Sequence, residues 1–355
     1  MPERRRCVTE QTNLPGIIDF LEQPAFCVQD GKIVACNRSA QNRQITADQE
    51  VAGLLGDHSD TYAGYTDGLL YLQLTVDGIV YDATVTRTEQ GDIFLLDTRF
   101  SNDALQAMAL ASQHLRTQLG SVMAQAADRY IDPDKDGGIM KGLYRMQRML
   151  CNMSDIPYYR SKTAPSDTLE LGAAVYEICE KASTLLEEAD YQVQYTGVRE
   201  PLFVAGDYEM LERAIFNLLS NAAKYSPKGS LLQVTLTRKN NVACISVEDA
   251  GQGIDTGLYA TLFARYQREP SVGDGQSGIG LGMALVQSVA AYHGGTVLVT
   301  RSQSGGTKVA LSISLRTQKD AQFRSPVLKL NDYAGGNDHG LLEFSDILPA
   351  KMYIH

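Results

Sequence analysis

Asn217-Leu-Leu-Ser-Asn-Ala-Ala-Lys-Tyr225 lies inside a run whose apolar spacing reads as a helix over Asp207–Lys224. On that helix Asn221 offers a neutral amide suited to a hard metal ion. Lys224 adds a cation, and Lys224 and Tyr225 lie one turn along the same face. Outward in the sequence, Asp249-Ala-Gly-Gln-Gly-Ile254 places a carboxylate at the end of a strand predicted over 242–248. Gly251 and Gly253 beside it let backbone approach a planar ring, and Ile254 closes the segment. Gly278-Ile-Gly-Leu-Gly282 then leads into a helix through Ala291. Gly278, Gly280 and Gly282, with Leu281 between them, put free helix N–H groups where phosphates could sit. In this order the three segments meet the requirements of a nucleotide pocket.

The set resembles the ATP-binding domain of the gyrase, heat-shock chaperone, histidine kinase and mismatch-repair ATPases, and within that group is most similar to the histidine kinases. The resemblance implies ATP and Mg²⁺ as ligands. Asn221 would coordinate the metal through its amide oxygen, leaving waters and phosphate oxygens to complete an octahedron. Lys224 and Tyr225 would reach phosphate and the base or sugar, and Asp249 would accept from the exocyclic amine of adenine. Leu262-Phe-Ala-Arg-Tyr-Gln-Arg268 resembles the aromatic and basic segment between the glycine motifs, and Gly305-Gly306-Thr307 the closing glycine–threonine element beside the base. His293-Gly-Gly resembles the end of the helix after the glycine loop, with the histidine a structural cap. Other nucleotide signatures fail: no Gly-x-x-x-x-Gly-Lys-Ser/Thr occurs, and Met283 stands where a dinucleotide fingerprint needs a small residue.

The fold class expected is α+β multidomain. Residues 14–100 read as a small α/β unit with strands at Ala25–Gln29, Lys32–Cys36, Leu69–Val76, Ile79–Val85 and Asp92–Asp97. Asp30-Gly31 and Asp77-Gly78 are hairpin dipeptides, and the pattern through Asn37-Arg-Ser-Ala resembles a PAS sensor domain. Over 103–156, Leu105, Met108, Ser112, Leu115, Leu119, Val122 and Ala126 form a heptad seam. Asp132-Pro-Asp-Lys-Asp-Gly-Gly138 is expected to break the helix. A second helix follows on Ile139, Leu143, Met146, Leu150 and Met153. Such an antiparallel hairpin is best buried by a second hairpin, giving a dimeric four-helix bundle, the layout of the histidine kinase dimerisation and phosphoacceptor domain. Residues 167–315 read as a C-terminal α/β-sandwich ATP-binding domain. The tail 316–355 ends in an apolar stretch, Leu341–Met352, which could pack back on the ATP domain or bind a partner.

Chemistry turns on two positions. Where ATPases of this superfamily carry a general-base glutamate, four residues before the metal-binding asparagine, the chain has Asn217, and a neutral amide cannot take a proton. Histidine kinases share that asparagine because their nucleophile is a histidine on the hairpin. Here Ser112-Gln-His-Leu-Arg-Thr-Gln-Leu119 resembles the phosphoacceptor box, with Gln113 at the nucleophile position and His114 one residue later. Either His114 is a shifted acceptor or Gln113 marks a lost one; a one-residue shift turns a helical side chain by about 100°. Thr117 matches the box threonine that helps position water for dephosphorylating a response regulator. The enzyme class expected is histidine protein kinase, signalling in a two-component phosphorelay. The alternative is an ATP-binding pseudokinase that acts by regulated partner binding.

With 355 residues, 44% hydrophobic, the chain can support two or three domains. Its net charge of −10, with Arg4-Arg5-Arg6 the basic cluster, argues against nucleic acid as a partner. No apolar run approaches the ~20 residues of a membrane span, and Met1-Pro-Glu-Arg-Arg-Arg-Cys lacks a secretory signal pattern, so a cytoplasmic location is expected. Six cysteines without pairwise spacing read as reduced thiols. The partners expected are a response regulator and a second copy of the chain.

Overall fold

The computed structural model describes residues 16, 18–19, 21–88, 90–97, 102–127, 133–162, 165, 167–253, 281–316 and 338–354. Two compact units emerge, Met1–Leu69 with Gln73–Thr98, and Leu70–Leu72 with Arg99–His355. The architecture is mixed α+β.

In the N-terminal unit, β1 (Ala25–Gln29), β2 (Lys32–Cys36), β3 (Leu69–Val76), β4 (Ile79–Thr88) and β5 (Gly91–Leu96) follow the spatial order β2-β1-β5-β4-β3. Both expected Asp-Gly turns are present. Asp30 and Gly31 have φ of 49° and 78°, and Asp77 and Gly78 have 51° and 74°, the left-handed pair a two-residue hairpin needs. Short helices α1 (Arg38–Gln41), α2 (Ala52–Leu55) and α3 (Ser59–Ala63) fill the crossover between β2 and β3. Buried Asn37 caps α1, accepting from Ala40 N–H at 2.9 Å, and its amide donates to the carbonyls of Ile18, Leu21 and Gln23.

The second unit begins with α4 (Asn102–Ala127) and α5 (Pro133–Ser161), which pack against each other, Arg116 Nη1 lying 3.4 Å from Ser154 Oγ. The expected break at 132–138 is corrected here: α5 starts at Pro133 and runs through Gly137 and Gly138. Proline is pre-organised for a first helical turn, where its missing N–H would go unpaired anyway. The glycines are tolerated because the helix gains packing along its length. It also continues past the expected end, through Pro157.

Then come β6 (Thr168–Glu170), α6 (Leu171–Glu187), β7 (Gln192–Thr196), β8 (Phe203–Ala205), α7 (Tyr208–Tyr225), β9 (Leu231–Lys239) and β10 (Val242–Glu248). After residues 254–280 follow α8 (Leu281–Tyr292), β11 (Val297–Arg301) and β12 (Thr307–Ser314). The strands run β11-β12-β10-β9-β7, antiparallel except for the parallel pair β7–β9, while β6 and β8 pair separately. Sequence reading had not marked β6. The three helices α6, α7 and α8 pack on this sheet with their apolar stripes inward. Asp207 caps α7 by accepting from Met210 N–H at 3.3 Å, and Glu170 caps α6 by accepting from Gly172 and Ala173.

Finally α9 (His339–Glu343), capped by Asp338, and the chain to Ile354 lie across α5 and α7. Leu342, Phe344 and Leu348 are fully buried, Phe344 against Phe216 of α7 (5.0 Å between ring centroids) and Tyr353 edge-on to Tyr144 of α5 (4.9 Å). Of the two fates the sequence left open for the tail, packing back is the one seen for residues 338–354. The five cysteines among the described residues are all free thiols.

Candidate functional site

The C-terminal ends of β10 and α7 and the start of β12 converge on Asp249. Its backbone N–H donates to Thr307 O at 2.9 Å, and its Oδ1 accepts from the N–H groups of Gly251 and Thr307, both at 2.9 Å. At 8% exposure the carboxylate is held in one orientation, so its second oxygen has a fixed direction for a donor. Charged acceptors with two backbone donors are well anchored. The surrounding backbone is as close as glycine allows. A Cβ on Gly251 would fall 2.5 Å from Tyr225 O, and one on Gly306 2.1 Å from Asp249 O. Gly253 has φ +74°, a left-handed conformation that L side chains rarely adopt. Thus Asp249, Gly251, Gly253, Thr307 and the end of α7 are brought together as the sequence led one to expect.

On α7, Asn221 and Lys224 are half-buried and Tyr225 is exposed, with the Lys224 ammonium 5.8 Å from the Tyr225 ring centre. Leu281 and Gly282 open α8, and a Cβ on Gly282 would lie 2.9 Å from Asn217 Oδ1. The helix after the glycine motif therefore starts directly against the first asparagine of α7. Ile254, Gly278, Gly280 and the Leu262–Arg268 segment lie outside the described residues. Among the described residues no group of three or more His, Cys, Asp and Glu side chains could hold a metal.

His293 is 4% exposed and ends α8 as expected of a cap. Its Nε2 accepts from Asp207 N–H at 3.1 Å, and its Nδ1 lies 2.7 Å from Val289 O. One nitrogen accepting and one donating is a neutral imidazole with the proton on Nδ1. Burial pushes its pKa down, opposed in part by the Val289 carbonyl.

Asn217 was expected near the nucleotide but not in its observed company. It is fully buried, and both ends of its amide are engaged. Oδ1 accepts from Arg148 Nη2 at 2.9 Å, and Nδ2 donates to Arg213 O at 3.0 Å and to Glu343 Oε2 at 2.9 Å. Glu343, itself fully buried, pairs with Arg213 Nε at 3.0 Å and Arg148 Nε at 2.9 Å. Arg213 also contacts Asp155 and donates to Asn152 Oδ1 at 2.7 Å. Its carboxylate neighbours hold the guanidinium charged despite the desolvation of complete burial. The Glu343 carboxylate stands beside the position where an ATPase would carry a general base, with both of its oxygens engaged by arginine. Sequence reading missed Arg148, Arg213 and Glu343. One signal was present: Arg213 sits among Met210, Leu211, Ala214, Ile215 and Phe216, and a charge in such a run calls for buried partners.

On the hairpin, Gln113 and His114 are both exposed on α4, and Thr117 Oγ1 donates to Gln113 O at 3.2 Å. Ser112 is buried, its hydroxyl turned back to Ala109 O at 2.8 Å.

The chain is similar to known proteins in the region that carries this site. Residues 206–317 match the family model described as "Histidine kinase-, DNA gyrase B-, and HSP90-like ATPase". The chain is 31% identical to the sensor protein IrlS of Burkholderia pseudomallei over 51% of its own length and 41% of that protein. It is 29% identical to the sensor histidine kinase CusS of Escherichia coli O157:H7 over 63% of its length and 47% of that protein. It thus spans less than half the length of these two curated relatives. Among solved structures, a mycobacterial sensor histidine kinase MprB chain is 28% identical, with a TM-score of 0.35 over 42% of this chain and 98% of the other. No helix among the described residues is long and apolar enough to cross a membrane.

Proposed function

We propose that the chain belongs to the sensor histidine kinase family, a reading its similarities support, and that it binds Mg·ATP between α7, the end of β10 and the start of α8 and signals to a response regulator. The observation that carries this reading is Asp249, fixed by the Gly251 and Thr307 N–H groups in a frame only glycines can line. An anchored carboxylate of this kind accepts the exocyclic amine of adenine and rejects the carbonyl of guanine. Lys224 supplies charge for phosphate. Asn221 suits Mg²⁺, which takes few protein ligands and completes its shell with water and phosphate oxygens.

Phosphotransfer requires a nucleophile on α4. If His114 is that group, its neutral imidazole attacks the γ-phosphorus and the bond to the bridging oxygen of ADP breaks. Gln113 has no nucleophilic nitrogen lone pair, so if the reacting register is fixed there, transfer does not occur and the chain acts as an ATP-binding pseudokinase. The second reading is favoured by Gln113 standing at the nucleophile position of the box. Dephosphorylation of a partner regulator with Thr117 positioning water is a further activity of the same surface. A homodimer through the hairpin is supported by Leu110, Leu115, Val122, Ile139 and Met146, large apolar side chains left exposed on α4 and α5. The five-stranded N-terminal sheet supports a PAS-like sensor.

The test is incubation with γ-labelled ATP, scored for acid-labile phosphate, in the parent, His114→Ala and Gln113→His. Label lost in His114→Ala assigns the acceptor to His114. Label appearing only in Gln113→His assigns the pseudokinase. No binding of ATP by calorimetry would sink both.

A further inference from the structure

We propose that Asp338–Ile354 is an intramolecular latch that holds α7 against α5, occupies Asn217, and must detach before ATP binds at full strength; the proposal rests on the nucleotide reading above. The segment grips both sides of one junction. Toward α5, Lys141 Nζ donates to Leu348 O at 2.6 Å, and Arg145 Nε donates to Ser345 O at 3.2 Å. Arg148 Nη1 reaches Asp346 Oδ2 at 3.1 Å. Together with Asn152, Asp155 and Tyr159, these residues recur at three- and four-residue steps and so form one face of the helix. This face is distinct from the apolar stripe of Ile139, Leu143, Met146, Leu150 and Met153. Toward α7, Phe344 covers Phe216, His339 Nδ1 lies 2.6 Å from Glu212 Oε2, and Glu343 pairs with Arg213.

The place where the two grips meet is Asn217. Its amide is committed to Arg148, Glu343 and the Arg213 carbonyl, and the second residue of α8 abuts its oxygen. Any shift of that amide toward a nucleotide breaks bonds to Arg148 and Glu343, and any shift of α8 at Gly282 presses on it. Latch and nucleotide therefore draw on the same side chain, and each must weaken the other by the same factor. Gly137 shows that α5 is shaped to receive the segment, since a Cβ there would lie 2.9 Å from Ile354 Cδ1 and 3.0 Å from Ala350 O.

The experiment uses the full chain with Phe344→Asp, which places a charge at a fully buried position, and in parallel Gly137→Leu, which blocks the segment from the α5 side. Hydrogen exchange reports whether residues 338–354 detach while β9 and β10 stay protected, and calorimetry reports ATP affinity. The latch predicts that both variants bind ATP about tenfold more tightly, as expected if the competent state is a tenth of the parent population. It also predicts that a synthetic peptide of residues 338–354, added in excess to Phe344→Asp, returns the parental affinity. Detachment with unchanged or weaker ATP affinity overturns the latch and leaves ATP binding standing. No ATP binding to any of the three proteins overturns the latch together with the nucleotide reading.

Discussion

Replacing Arg213 with methionine removes the centre of the buried network and nearly preserves side-chain length. In the parent, the fully buried guanidinium meets Glu343, Asp155, Asn152 and Tyr159, of which Glu343 is equally inaccessible. Methionine satisfies none of them. Removing one partner of a buried pair costs about 3–5 kcal/mol, because the remaining charge stays desolvated. Arg148 still neutralises Glu343 from one side, which places the expected cost near the lower end, about 3 kcal/mol. For a unit of this size that corresponds to a melting-temperature drop of roughly 6–12 °C. The loss should also be local. These four partners lie on α5 or in the C-terminal segment, so water can relieve Glu343 if that segment lifts away, whereas the β9–β10 core gains no such exposure. A double-mutant cycle with Glu343→Leu, read by urea unfolding and by hydrogen exchange, separates the pair from its surroundings. Converting both residues to apolar side chains should cost at least about 1 kcal/mol less than the sum of the single changes. Additivity within about 0.4 kcal/mol, or loss of β9–β10 protection in the Arg213→Met single variant, would refute the reasoning.

Three further outcomes follow from particular contacts. Asp249→Ala strips two backbone N–H groups of their acceptor and should weaken ATP binding about tenfold or more in calorimetry, tenfold being 1.4 kcal/mol. Gly138→Ala, at an exposed helical position with open space around the added methyl, should stabilise α5 by about 0.5–1 kcal/mol in chemical denaturation. His293 is held neutral by burial, so its pKa is lowered in the fold. The unfolded chain takes up a proton first as pH falls below about 6.5. Its contribution is thus complete above that value and declines on acidification, by up to about 1.4 kcal/mol per pH unit until the folded form titrates. Parent and His293→Gln melted at about pH 7.5 and about pH 5.5 should show a smaller pH-induced loss in the variant; equal losses would exclude the histidine as the source.

Many elements of both units were legible because each carries a local signature. Asp207 opens α7 as a cap, Asp30-Gly31 and Asp77-Gly78 set hairpin turns, and the expected strand boundaries fell within a residue of the observed ones except at the end of β4, which runs to Thr88 rather than Val85. Asp249, Gly251, Gly253 and Thr307 could be brought together from two motifs because glycine at 251, 253 and 306 has a steric cause. Arg148 and Glu343 were not legible, since nothing in the local spacing tells a solvated arginine on a helix from one that reaches a distant carboxylate. The helix start at Pro133 was misread for a related reason. Proline and paired glycines signal a break locally, and only the segment packed over Gly137 reveals why a glycine stands there.

That hollow at Gly137 also makes a claim about descent. An alanine there would favour the helix and crowd Ala350 and Ile354, so the two sites are bound by an evolutionary bargain that neither can leave alone. In a lineage that discards the closing segment, position 137 should drift toward residues with better helical propensity. Where the segment persists, the notch should persist with it.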